Sequence, residues 1–113
     1  MTLQIQTYTD ADFNGTFIAD PVIPLAALNI RMMVRRHAAD ATVYLDLATD
    51  SGIFKVADTT DVIGKYTIAI AQSELSRMQV GDYVFSVIAY SSQQRTEIGR
   101  GTLTHSAGPT RFT

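Results

Sequence analysis

Acidic and amide side chains near the start of the chain have the spacing of half a calcium-binding loop. Asp10, Asp12 and Asn14 alternate and are followed by Gly15, which would place three oxygen ligands before a sharp turn. Such a loop also needs a glutamate six residues after the glycine, and that position holds Pro21. A plain turn between two strands explains the same residues. We therefore expect a turn here and no metal site.

The residues suited to acid–base or nucleophilic catalysis are few. The chain has no cysteine, which excludes thiolate catalysis, disulfides and cysteine-ligated zinc. His37 and His105 are the only histidines, and no serine lies in a Gly-x-Ser-x-Gly motif, so a hydrolytic triad is not indicated. Both histidines fall near the ends of predicted strands, where surface histidines are common. We expect no catalytic residue and no cofactor.

A small basic cluster is formed by Arg31, Arg35, Arg36 and His37. On a strand, Arg31 and Arg35 would share one face, where they could contact phosphates or an acidic partner. The net charge is −2 and no aromatic residues are interleaved with the arginines, so nucleic acid is not an expected partner. A solvated outer face is the simpler explanation of the cluster.

Tyrosines offer the remaining possible site, because their rings can form a platform on which sugars stack. Tyr66 and Tyr83 fit better as core or corner residues. A carbohydrate-binding adhesin module would therefore need Tyr44 and Tyr90 side by side above a shallow groove. We keep this module as the alternative from another functional class.

The elements that would position these residues belong to one domain. The length of 113 residues fits a single domain, and 46% hydrophobic with 18% charged residues excludes a disordered chain. We assign residues 1–105 to the domain and 106–113 to a C-terminal tail that lacks periodicity. The start, Met1–Gln6, has no signal-sequence pattern, and polar residues interrupt the apolar stretch Pro21–Val34. We therefore expect a protein made in a cytoplasm, with no membrane partner.

Alternating apolar and polar residues predict about seven to eight strands joined by short turns. The segment Leu28–Arg35 also has the spacing and composition of a helix, and we prefer a strand because the following segments alternate. Ser73 is predicted to cap one short helical turn near residues 73–79. In the last strand, Gly99 is expected to share a face with Glu97. The predicted strands are Leu3–Tyr8, Thr16–Ala19, Leu28–Arg35, Val43–Leu47, Ile53–Val56, Lys65–Ile70, Tyr83–Tyr90 and Thr96–Thr104.

The segment from Leu75 to Phe85 indicates a structural corner. An apolar helical turn runs to Gly81, which can adopt a positive φ, and a strand begins with Tyr83. Immunoglobulin-like sandwiches often carry a tyrosine at such a corner, with its hydroxyl bonded back to the main chain. The predicted fold is all-β: an immunoglobulin-like antiparallel β-sandwich.

The order of these signals from Leu28 to Leu103 resembles a small β-sandwich family of tailed bacteriophages. Members include domains similar to the amino-terminal domain of siphophage baseplate upper proteins. The chain departs from the family pattern at Ser86, where an aspartate is frequent, and at the lead-in Pro24–Leu28. The resemblance rests on the order and spacing of Val34-Arg35, Val43–Leu47 with Ser51-Gly52, Ile68–Leu75, Gly81–Phe85 and Arg100–Thr104.

The resemblance implies a non-enzymatic virion structural protein, made in the bacterial host cytoplasm, that acts as an assembly module of the tail or baseplate. A head decoration or fibre-base protein of the capsid is the alternative. The implied partners are other virion proteins, together with copies of the chain in a symmetric homo-oligomer. A terminal strand can extend a neighbour's sheet, which makes Leu3, Ile5 and Phe112 candidate assembly contacts. Arg31 and Arg35, which could meet an acidic partner, are candidate assembly contacts as well.

Overall fold

The computed structural model describes residues 2–57, 59 and 63–108 of the chain. The regular elements of this part of the chain are eight strands and one short helix, which confirms the all-β prediction and the predicted helical turn. The elements are β1 Thr2–Tyr8, β2 Phe13–Ile18, β3 Asn29–Arg35, β4 Leu45–Thr49, β5 Gly52–Lys55, β6 Lys65–Ile70, α1 Gln72–Leu75, β7 Gly81–Tyr90 and β8 Arg95–Ser106.

The described strands form one hydrogen-bonded sheet in the order β1-β8-β7-β3-β4-β5-β6-β2. Strand β1 pairs with β8 in parallel, so the predicted antiparallel arrangement is wrong for this pair. A strand that returns to the start of the chain can pair in either direction, and local alternation does not encode which. The sheet curls over a shared core, which brings the end of β2 close to β8. The main-chain N–H of Asp20, just after β2, donates to the carbonyl of Ile98 on β8 at 2.9 Å.

Strand β3 confirms the preference for a strand over a helix in this part of the chain. Ile30, Met32 and Val34 are fully buried and alternate with the exposed Arg31. The strand lies between β4 and β7 in the middle of the sheet, where three alternating apolar side chains enter the core. Burial of this face outweighs the modest helix propensity of leucine, methionine and arginine.

The core lies between the inner faces of the curled sheet and is closed by α1. Tyr66 and Tyr83 are among its largest buried side chains, as predicted, and Leu75 of the helix is fully buried. The remaining fully or nearly fully buried apolar residues include Leu25, Ile30, Met32, Ile53, Ile68, Ile70, Val87, Ile98 and Leu103.

A β-bulge in the last hairpin changes which side chains share a face. Val87 pairs with Gly99 but Ile88 pairs with Glu97, so Ile98 is an extra residue in β8. Ile98 and Gly99 are both buried while Glu97 is exposed. The prediction that Gly99 shares a face with Glu97 is therefore wrong, because it assumed regular alternation.

The short helix begins differently from the sequence prediction. Its N-cap residue is Ala71, which makes no side-chain capping bond, and Ser73 lies inside the helix. The Asp12 carboxylate, from the turn between β1 and β2, accepts a hydrogen bond from the Gln72 N–H at 2.6 Å. The predicted Ser73 cap is wrong because a residue distant in sequence satisfies the first free N–H.

Candidate functional site

The predicted corner is confirmed by both of its residues. Gly81 has a φ of +147° and opens β7. The Tyr83 hydroxyl donates to the carbonyl oxygen of Gln79 at 2.6 Å, which ties the strand to the turn that precedes it. Burial raises the pKa of Tyr83, while the positive charge of Arg36 acts in the opposite direction. The corner is a structural device with its polar groups satisfied.

Tyr83 also forms the centre of an aromatic and cationic stack. The Arg36 guanidinium lies 4.3 Å from its ring centroid, and the ring of Tyr44 meets it edge-on with centroids 5.2 Å apart. Contacts of this kind add stability beyond simple area burial. The Tyr44 ring therefore packs against the corner.

The two tyrosines required by the adhesin alternative are far apart. The N–H of Tyr44 donates to the carbonyl of Val34, whereas Tyr90 pairs with Asn29 at the other end of β3. Five residues of extended strand separate these two positions by about 16 Å. Tyr44 and Tyr90 do not lie side by side, so the platform that this alternative needs is not present.

A groove of about 690 Å³ lies on the outer face of β3, β7 and β8. Four arginines line it, and we name it the arginine groove. Its residues are Thr2, Arg31, Met33, Arg35, Ala38, Val84, Phe85, Ser86, Ile88, Tyr90, Arg95, Arg100, Gly101 and Thr102.

Strand register explains how residues distant in sequence form the arginine groove. The central strand β7 supplies the half-buried floor, which runs from Val84 to Tyr90. On the β3 side, Arg35 is opposite Val84 and Arg31 is opposite Ile88. On the β8 side, Arg100 is opposite Ser86 and Arg95 is opposite Tyr90. Arginines thus flank a largely apolar floor on both sides.

Two of the four arginines are ion-paired. Arg31 donates to both carboxylate oxygens of Asp46, at 3.1 and 2.8 Å. This bond lowers the pKa of Asp46 and raises the pKa of Arg31. Arg100 lies 3.1 Å from a carboxylate oxygen of Glu97. Both pairs are exposed to solvent, so each contributes little to stability.

The other two arginines keep their charge available. The Arg35 guanidinium donates to the main-chain carbonyl of Asp40 and contacts the sulfur of Met33. Arg95 is exposed at the start of β8. Within residues 2–57, 59 and 63–108, neither arginine forms an ion pair. The groove therefore carries two arginines, Arg35 and Arg95, that form no ion pair with a carboxylate of the described residues.

The candidate assembly contacts are distributed unevenly. Ile5 is only 3% exposed and Leu3 packs against the core, so the Ile5 side chain is not on the surface, where the predicted assembly contact would need it. Pairing of β1 with β8 turns these side chains inward, and β1 forms one end of the sheet. Arg31 and Arg35 lie together in the arginine groove. Phe112 lies outside the described residues.

The histidines differ from expectation in one respect. His37 is exposed in a turn, where its main-chain N–H donates to the Asp40 carboxylate. His105 is completely buried, with Nδ1 2.8 Å from the Thr7 hydroxyl. The prediction of a surface histidine was wrong for His105, because β1 pairs along β8 and covers it. Its Nε2 atom has no hydrogen-bond partner in the described part of the chain.

The segment from Asp10 to Gly15, with the spacing of half a calcium-binding loop, has a structural role. Asp12 binds the first N–H of the helix, and Asn14 lies exposed on β2. Among the residues that the structure describes, no group of three histidine or acidic side chains is placed to hold a metal ion. Over the same residues, no helix has the length and apolar character needed to cross a membrane.

No family model matches the chain, and no curated protein matches it.

Proposed function

We propose that the chain is a non-enzymatic structural protein of a bacteriophage virion, an assembly module of the tail or baseplate. Its sequence resemblance to small phage β-sandwich domains gives the setting. The observation that carries the proposal is a group of large apolar side chains exposed on β2 and at the end of β5, on either side of the outer face of β6. Subunits of an assembly cover such surfaces with their neighbours.

The exposed group, here named the apolar patch, is defined by Ile18, Phe54 and Val56. Their exposed fractions are 56%, 44% and 38%. Register places them on one face, since Ile18 and Val56 both neighbour Lys65 on β6, and Phe54 is opposite Thr67. Val22 and Ile63 are also exposed on the adjoining connections. Solvation of this cluster is unfavourable, and contact with a neighbouring subunit would remove it from water.

The ends of the sheet add a second way to join subunits. In the described chain, β1 and β2 are the terminal strands of the sheet order. An edge strand presents main-chain N–H and carbonyl groups that a neighbouring strand can pair with. A ring of identical copies would use such an edge repeatedly around a particle axis.

The test starts with particles of the phage that encodes the chain. Mass spectrometry of purified particles should detect the protein, and antibody labelling in the electron microscope should mark the tail tip. Labelling of the head instead would favour the capsid decoration or fibre-base alternative. Absence of the protein from purified particles would contradict both positions.

A substitution in the apolar patch connects the observation to the function. Phe54→Asp should lower incorporation into particles without unfolding the isolated protein, because Phe54 is a surface residue. Val80→Asp is the matched control, since Val80 is 53% exposed but lies elsewhere, just before β7. Equal incorporation of the two variants would show that the apolar patch is not an assembly surface.

A further inference from the structure

We propose that the arginine groove binds an extended acidic peptide segment of a neighbouring protein, with apolar side chains of that segment resting on the β7 floor. Naming the neighbour as a virion protein rests on the proposed function. The chemistry of the segment rests on the groove alone.

Charge complementarity selects a segment with carboxylates. Arg35 on one wall and Arg95 on the other have no ion-pair partner among the described residues, as shown above. A guanidinium can bind a carboxylate through two parallel hydrogen bonds, which are stronger than bonds between neutral groups. Carboxylates on both sides of a bound segment would therefore complete the two walls.

The floor selects an extended segment rather than a single anion. Val84, Ile88 and Tyr90 are half-buried along β7 and, with Ser86, form a strip about 20 Å long, given a rise of about 3.3 Å per residue. An extended segment of about six or seven residues has the same length. Isolated phosphate or carboxylate ions would leave this apolar strip in contact with water.

Nucleic acid fits the groove less well. Asp46 and Glu97 already neutralise Arg31 and Arg100 at its margin, which leaves two free cations. Binding of a nucleic acid depends on neutralising several phosphates, and the whole chain has a net charge of −2. These features favour a short acidic peptide over a polyanion.

The experiment measures binding of a fluorescein-labelled peptide of about seven residues that contains glutamate and leucine, a length set by the floor of the groove. Fluorescence anisotropy should show binding by the wild-type protein that weakens as salt increases. A peptide with lysine in place of glutamate should not bind. An oligonucleotide of the same label should bind more weakly than the acidic peptide.

Arg95→Glu provides the decisive variant. It should weaken peptide binding by about tenfold or more, because repulsion replaces a charge-assisted bond. Arg77→Glu is the matched control, since it makes the same charge change at an exposed site outside the groove, and it should bind the peptide like the wild type. Ser86→Trp should block the centre of the floor and also reduce binding, with the far-ultraviolet dichroism spectrum unchanged.

Two results would overturn the inference. They are equal peptide binding by Arg95→Glu and Arg77→Glu, and tighter binding of the oligonucleotide than of the acidic peptide. These results are separate from failure of the proposed function, which is absence of the wild-type protein from purified particles. If the wild-type protein is present in particles but its Arg95→Glu variant binds the peptide normally, the inference about the groove is refuted and the proposed function is not.

Discussion

At the scale of single residues, the Tyr83 hydroxyl is the clearest link between sequence and stability. Tyr83→Phe removes its bond to the Gln79 carbonyl but keeps the ring beneath Arg36. We expect the free energy of unfolding to fall by about 0.5–1.5 kcal/mol. Urea denaturation measures the change, with Tyr44→Phe as control. Equal values for the two variants would show that the corner bond does not contribute.

Gly81 is the second residue whose identity is dictated by geometry. Its φ of +147° disfavours any side chain, and a Cβ atom there would collide with the Arg36 guanidinium. Gly81→Val should therefore destabilise the protein by more than about 1 kcal/mol. Repeating the substitution in an Arg36→Ala background removes the collision, so that the remaining loss reports backbone strain. An unchanged melting temperature in both backgrounds would contradict the described corner.

Tyr66 shows the opposite situation, a buried hydroxyl without a hydrogen-bond partner in the described part of the chain. Burial raises the pKa of Tyr66 to about 12, above the unfolded value of about 10. The folded state thus retains this proton longer, and stability is lost as the pH rises from about 10 through about 12.

Tyr66→Phe should therefore remove part of the alkaline loss of stability and leave the protein at least as stable at neutral pH, because the unsatisfied hydroxyl is gone. Thermal melts between pH 7 and 12 measure both effects. Tyr8→Phe, at a 45% exposed tyrosine, is the control. A marked destabilisation of Tyr66→Phe at neutral pH would indicate that the hydroxyl has a partner in solution.

At the scale of elements, α1 depends on a contact from outside its own sequence. Asp12→Ala removes the acceptor for the Gln72 N–H and should destabilise the protein by about 1 kcal/mol. Asp12→Asn keeps an oxygen acceptor and should recover most of the loss. Ser73→Ala should have little effect, because the Ser73 side chain does not cap the helix. A larger loss in Ser73→Ala than in Asp12→Ala would reverse this assignment.

The strand register also explains why the arginine groove could only partly be predicted. Alternation alone places Arg31 and Arg35 on one face of β3. Arg95 and Arg100 join them only because β8 pairs with β7 and β7 pairs with β3. A pattern within one strand contains no information on its neighbours.

At the scale of the whole molecule, the sheet joins the beginning of the chain to its end. Thr2 pairs with Arg100 and Tyr8 with Ser106, so the fold contains contacts of very high sequence separation. Such contacts form late and slow the folding of β-proteins. The first strand is nevertheless part of the core, since Ile5 and Thr7 are buried.

A pair of substitutions on β1 tests this placement. Ile5→Asp puts an unpaired charge into the core and should destabilise the protein by more than about 3 kcal/mol. Gln4→Asp, on the exposed face of the same strand, should change stability by less than about 0.5 kcal/mol. Thermal denaturation of both variants measures the difference. Similar melting temperatures would mean that β1 is a free arm rather than a strand of this sheet.

The sequence by itself determined the all-β class, most strand positions and the Gly81–Tyr83 corner. Each of these depends on interactions within a few residues, such as alternation, turn chemistry or a bond from Tyr83 to Gln79. Only the tertiary structure decided the parallel β1–β8 pair, the burial of His105, the Asp12 contact with the helix and the joining of four arginines. These features arise where segments distant in the chain meet, and strand pairing is set by total core burial rather than by local pattern.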